Sequence, residues 1–481
     1  MTRFASPASG PRRLGRGPQS HFFGYYNKSP WDASGRSLLA HRTPLQRGAL
    51  TGDDVAEIGI FDLSGDGAFT PLDETRAWNW QMGAQLQWLG PRNRRIVFNT
   101  RCDAAPDPAF GAPYRAKILD LDTGEARLLS LPIYVAFPDG RGALAVNYRR
   151  LAHTHPTIGY FCGPTVETPP LCPDDDGIYR MDLDEDRFEP IISFRQLAHI
   201  EPRPSMADSV HWISHVEVNP SSTRFLFLHR WTRRVEDETC FLHRLFTCNV
   251  DGSDLRLLEC SDHPLPQLED SFDPSAVGLF DYEKSEHQIS HPIWKDDDEL
   301  IVWSPHDGTI GYHLYNDRDR TVRRIGPGVL DENGHMSYAP DGRWLLSDTY
   351  PDPGTGDREL FLWDDAARRK LRLGTFRTDP TLAKIDRCDL HPRWNRSGNQ
   401  ICIDSVHDGE RAMYVIDMPS PAESRRHGLA SADDIGANGG PAKVARRAAS
   451  GRVRPGLPGA TRKATATARR HTAPRRPPSG R

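Results

Sequence analysis

Apolar residues in this chain alternate with polar ones in short runs and show almost no three-to-four-residue recurrence, so strands rather than helices are expected. A turn of the Asp-Gly-Arg kind followed by an apolar strand recurs down the sequence. Clear copies begin at His335 (His-Met-Ser-Tyr-Ala-Pro-Asp-Gly-Arg-Trp-Leu-Leu), at His391 (His-Pro-Arg-Trp-Asn-Arg-Ser-Gly) and at His215 (His-Val-Glu-Val-Asn-Pro). Seven such modules can be aligned, with a recurrent aromatic residue before the turn and an Asp or Asn after the third strand. Four short strands per module and seven modules predict an all-β chain, a seven-bladed β-propeller over residues 21–420. Residues 1–20 are expected to be a flexible segment and 421–481 a disordered basic tail. Two stretches, 151–176 and 255–289, interrupt the rhythm, and at least one is expected to fold over a mouth of the central channel.

Composition narrows the setting. From Arg425 to the end, fourteen Lys and Arg stand against two Asp, so the tail carries +12 and leaves −16 on the rest of a chain of formal net charge −4. An Ala, Gly, Pro and Arg-rich tail without apolar periodicity has the composition of disorder; an unstructured extension is expected ahead of a nucleic-acid- or surface-binding arm, and no nucleic acid is expected for the propeller. No apolar run approaches the roughly 18–20 residues of a membrane span. The first twenty residues lack the apolar centre of a secretory signal, and the eight cysteines form no CxxC pair, so reduced thiols in a cytoplasm are expected.

Aligning the turns places His215, His291, His335 and His391 at one register of the inner strand in four consecutive modules, with Lys28, Gln85 and Ile133 there in the first three. Neutral imidazole is the commonest metal ligand. His291 and His335 are the leading candidates, His391 follows, and His215 is left for proton transfer. Arginines gather at the ends of second strands on the same face, among them Arg101, Arg150 and Arg230, and guanidinium pairs bidentately with a carboxylate. Tyr26, Tyr148, Tyr160 and His21 fall near that mouth, as does Trp78-Asn-Trp80-Gln81, whose indoles and amides suit a sugar ring.

Ile213-Ser-His-Val-Glu-Val-Asn-Pro, Phe227-Leu-His-Arg-Trp, Ser290-His-Pro-Ile-Trp and Gly334-His-Met-Ser-Tyr-Ala-Pro-Asp-Gly-Arg resemble the corresponding segments of oligogalacturonate lyases, most clearly over residues 211–345. The resemblance implies a cytoplasmic seven-bladed propeller that cleaves a small anionic, uronate-containing oligosaccharide by β-elimination with a divalent metal. Manganese is the ion implied, with calcium and zinc as alternatives. It implies His291 and His335 as ligands, joined by His391 on the register, and His229 as a base. The family's Phe-Cys-His-Glu-Gly-Pro-Trp run reads Phe-Leu-His-Arg-Trp here, so His229 and His215 both stand as bases, with Arg230 beside them. A similar propeller serves ulvan lyases, and on that pattern Tyr148 or Tyr160 would donate the proton. Arg101, Arg150, Gln81, Trp80, Tyr26 and His21 are the expected substrate contacts. The alternative is a non-catalytic propeller that binds or scaffolds at the same mouth.

Overall fold

The computed structural model describes residues 10–418, apart from 66, 104–112, 164–167, 239, 262–286 and 383. Within them the alternating runs form seven four-stranded sheets, every pairing antiparallel between neighbours. The chain is a seven-bladed β-propeller. The first blade opens at Ser20–Phe22, and the inner strands of the last four blades are Val210–Val218, Ser290–Trp294, Met336–Tyr338 and Arg393–Trp394. The expected tail, 421–481, lies outside the described residues, as does most of the second insert.

Local chemistry explains why the repeats fold alike. In the turn after the inner strand, Asp341 Oδ1 accepts from the backbone N–H of Arg343 at 3.0 Å, and Asp139 does the same for Arg141 at 2.9 Å. Gly342 and Gly140 take φ of 69° and 74°, the left-handed region that a residue with a Cβ enters only at a cost. The Asp or Asn after the third strand makes the next turn: Asp182 accepts from Asp184 and Glu185, and Asn316 from Arg318 and Asp319. The aromatic residue before the first turn ties blades together. Trp88 of the second blade donates its indole N–H to Pro30 O at 2.7 Å, and Trp294 of the fifth donates to Glu217 O at 3.2 Å.

The ring is closed by a strand that sequence periodicity does not show. Arg12–Arg13, inside the stretch expected to be flexible, pairs with Tyr414 and Val415 as the outer strand of the seventh blade. Leu14 follows it, 1% exposed, with its N–H on Met413 O at 2.8 Å. The first insert begins as a helix, Tyr148–Thr154, capped by the side chain of Asn147. Among the described residues no helix is long and apolar enough to cross a membrane.

Candidate functional site

The inner strands of the fourth and fifth blades do not run straight. Their pairing shifts between Ser214 and Glu217 and between Ser290 and Ile293. At these bulges His215 and His291 both take φ of 55°; His391 takes 43°, and Gln85 at the same register of the second blade takes 55°. A bulge removes a residue from the ladder and re-aims its side chain, and a left-handed backbone costs a residue with a Cβ about 1–2 kcal/mol. Strain repeated at one register of four blades turns these side chains toward the channel. His335 arrives differently. Gly334 before it packs against the carbonyl of Asp348 where a Cβ would collide, and the His335 N–H donates to Asp348 Oδ1 at 2.6 Å.

The structure therefore brings the four histidines into one space. Ring centroids of His291 and His335 lie 4.1 Å apart, and those of His335 and His391 lie 4.4 Å apart. Tyr25, 5.0 Å from His391 edge-on, hydrogen-bonds His215 Nε2 through its hydroxyl at 2.8 Å. Tyr26 packs behind, edge-on to His291, with its hydroxyl donating to Pro292 O at 3.0 Å. Outer partners set the imidazole tautomers. His335 Nδ1 faces both oxygens of the buried Asp348 at 3.1 Å, and His291 Nδ1 faces Asn333 Oδ1 at 3.1 Å. Acceptors there require Nδ1–H, which leaves the Nε2 lone pairs free. Asn333 is fixed in turn by donating to Gln288 Oε1 at 2.7 Å.

These atoms fit a metal. His391 Nε2 is buried without a hydrogen-bond partner, with Asp389 Oδ2 3.9 Å away. Single ligand atoms of His335, Asp389 and His391 lie within 4.8 Å of one another. Burial pushes His215, His291 and His391 well below the usual imidazole range, so they stay neutral, the form that ligates. Burial opposes ionisation of Asp389, but Arg387 and Arg358 hold it well below the usual carboxylate range. An imidazole set with one adjacent carboxylate suits a borderline divalent ion.

A pocket of about 70 Å³ opens above this cluster. The first insert forms part of its wall through His155, Thr157 and Ile158. That strap is tied to the fourth blade: Thr157 N and Oγ1 donate to Glu238 at 2.9 and 2.8 Å, and His155 Nδ1 meets Arg230 at 2.9 Å. Arg230 and Lys384 both line the pocket, and among the described residues neither faces a carboxylate. Arg387, by contrast, is engaged with Asp389 at 2.8 Å.

Of the residues expected from sequence, His215, His291, His335, His391, Arg230 and Gln81 meet here, with Tyr26 behind them. Others lie elsewhere. His229 is sealed inside the fourth blade, bonded to His211 at 2.8 Å and Arg244 at 3.2 Å. Arg150 is buried on Asp176 at 2.8 Å, and Arg101 pairs with Asp103 at 2.6 Å. His21 sits between Phe61 and Phe69. Tyr148 stacks on Tyr160 at 4.3 Å, and Tyr160 with Trp80 lines a neighbouring apolar pocket. Sequence reasoning placed Tyr25 near the mouth without a catalytic role, and passed over Asp389, His155 and Lys384. Asp389-Leu-His391 carried a signal, since residues two apart on an extended chain share a face.

No family model matches the chain, and no curated protein matches it. Among solved structures, an oligogalacturonate lyase in complex with manganese superposes over 87% of this chain and 96% of its own, at 15% identity and a TM-score of 0.56. An oligogalacturonate lyase from Vibrio parahaemolyticus covers the same shares at 13% identity and a TM-score of 0.55. The resemblance seen in the sequence is thus matched at the level of the whole fold.

Proposed function

We propose that this chain is a metal-assisted lyase that cleaves a uronate-containing oligosaccharide, of the oligogalacturonate kind, by β-elimination. One observation carries the reading: imidazoles from four blades converge beneath a mouth where, among the described residues, Arg230 and Lys384 have no carboxylate partner. The likeness of fold to the lyases supports it. His335 and His391 with Asp389, and His291 beside them, would hold a divalent ion, manganese before calcium or zinc, which when bound would supply positive charge to a uronate carboxylate. Arg230 and Lys384 orient that carboxylate, and guanidinium charge favours the enolate-like transition state.

The hydrogen-bonded pair of Tyr25 and His215 is placed for proton transfer. The C5 proton passes to the Tyr25 oxygen as the tyrosine proton moves to His215 Nε2. The C5 electron pair forms the C4–C5 double bond, the C4–O4 bond breaks with its electrons on oxygen, and the departing O4 takes a proton back. His215 enters this step neutral because burial disfavours its charged form. All eight cysteines are free thiols, which supports a cytoplasmic setting.

The test is incubation of manganese-loaded protein with uronate oligomers, following the ultraviolet absorbance of the unsaturated product. Turnover lost in His291→Ala with the fold retained is expected. No unsaturated product from a broad uronate panel, with any divalent ion, overturns the reading.

A further inference from the structure

A second cavity of about 280 Å³ adjoins the central pocket. The two share walls. Along the strap, His155, Thr157 and Ile158 face the central pocket while Pro156 and Gly159 line the second. Gln81 faces the first and its neighbour Trp80 the second, and Lys384 and Ile385 divide in the same way. Consecutive residues thus divide between the two linings, so a single thickness of chain separates the cavities.

The chemistry of the second cavity is the opposite of the first. Among the described residues none that lines it is charged. Its polar groups are already used inside the protein. Trp78 and Trp80 donate their indole N–H groups to Asp54 O at 2.9 Å and Gly48 O at 2.8 Å. Asn79 donates to Ile158 O and accepts from the N–H groups of Gln81 and Met82, and the Tyr160 hydroxyl accepts from Asn99. A bare sugar ring would lose hydration for its hydroxyls here without finding partners. An aromatic ring would lose nothing, and about 150 Å³ already suffices for benzene.

We infer that this cavity is a subsite for an uncharged aryl substituent on the ligand whose carboxylate the central pocket holds, so that the preferred substrate is an aryl-substituted uronide. The inference deepens the lyase reading and rests on it for the identity of the anionic part.

Calorimetric titration of the manganese-loaded full chain with three probes separates the two claims: methyl galacturonide, phenyl galacturonide and phenyl galactoside. Phenyl galacturonide should bind about tenfold or more tighter than methyl galacturonide, from the added apolar burial. That advantage should vanish in Ala49→Phe and in Ala152→Phe, which fill the cavity from an exposed and a half-buried wall position and leave the central pocket intact. Equal affinity of the two galacturonides overturns the subsite while the uronate reading stands. Phenyl galactoside binding as tightly as phenyl galacturonide supports the subsite and overturns the uronate reading. An aryl advantage that survives both substitutions places the ring elsewhere and overturns the subsite.

Discussion

Asp348 acts twice through one carboxylate, taking the backbone N–H of His335 at 2.6 Å and facing its Nδ1 at 3.1 Å. It both places the ring and fixes which nitrogen keeps a lone pair. Asp348→Asn preserves the shape but sets an amide N–H against Nδ1–H, so manganese affinity should fall about 10–100-fold. Titration of the variant with manganese checks this, and an unchanged affinity would remove His335 from the proposed ligand set. Strand alternation decides which neighbours of such a residue reach the site. His229 and Arg230 are consecutive on one strand, so they point to opposite faces. Arg230 faces the pocket and His229 the blade interior. Similarity of the surrounding residues singled out both; the two-residue period admits one.

Among elements, the bulged inner strand is the device that matters, and it has a signature independent of function. With φ at 55°, residue 291 pays for its Cβ. His291→Gly and His291→Ala both remove the imidazole, yet the glycine variant should be the more stable by about 1 kcal/mol, reversing their usual order within a strand. Urea unfolding of the pair checks it; alanine proving more stable would mean an ordinary extended backbone. The histidine register was legible because a repeated turn anchors the alignment, and the turns themselves were legible from Asp, Asn and Gly. The bulges were not, since nothing in Ser214-His215-Val216 departs from an alternating strand. The strap of the first insert was legible as an interruption, but its helix was not: Tyr148–Thr154 is seven residues, too short for helical periodicity to stand out.

At the scale of the molecule, seven repeats announce the ring, while its closure rests on a two-residue strand that no pattern could reveal. Leu14, buried beside that strand, tests the closure: Leu14→Ala should cost about 2–5 kcal/mol, read from the urea midpoint, whereas a loss near zero would leave the first strand ornamental. The ring also encloses histidines that do no proposed chemistry. Burial lowers His21, His41, His211 and His313 each to about 4. His41 shows what a proton would break, for its Nε2 accepts from the Ala84 N–H at 3.0 Å. In the unfolded chain all four bind protons near pH 6.5. Their contribution to stability is therefore complete above about 6.5 and is lost as pH falls toward 4, by up to ~1.4 kcal/mol per pH unit for each group. Glu217, raised to about 8 by burial, acts with the opposite sign, its contribution being present in acid and lost as pH rises through 8. Between about 8 and 4.5 it is protonated in the fold and ionised in the unfolded chain, so over most of the histidine window it offsets about one histidine's share of the loss. Four histidines less Glu217, with His313 discounted for its partial exposure, then give a slope of about 3–4 kcal/mol per pH unit at pH 5, a large part of the whole stability of a domain. The fold should give way close to that pH, well before the carboxylates titrate, and a urea midpoint that stays level between pH 7 and pH 5 would show that these rings take up protons without leaving their places.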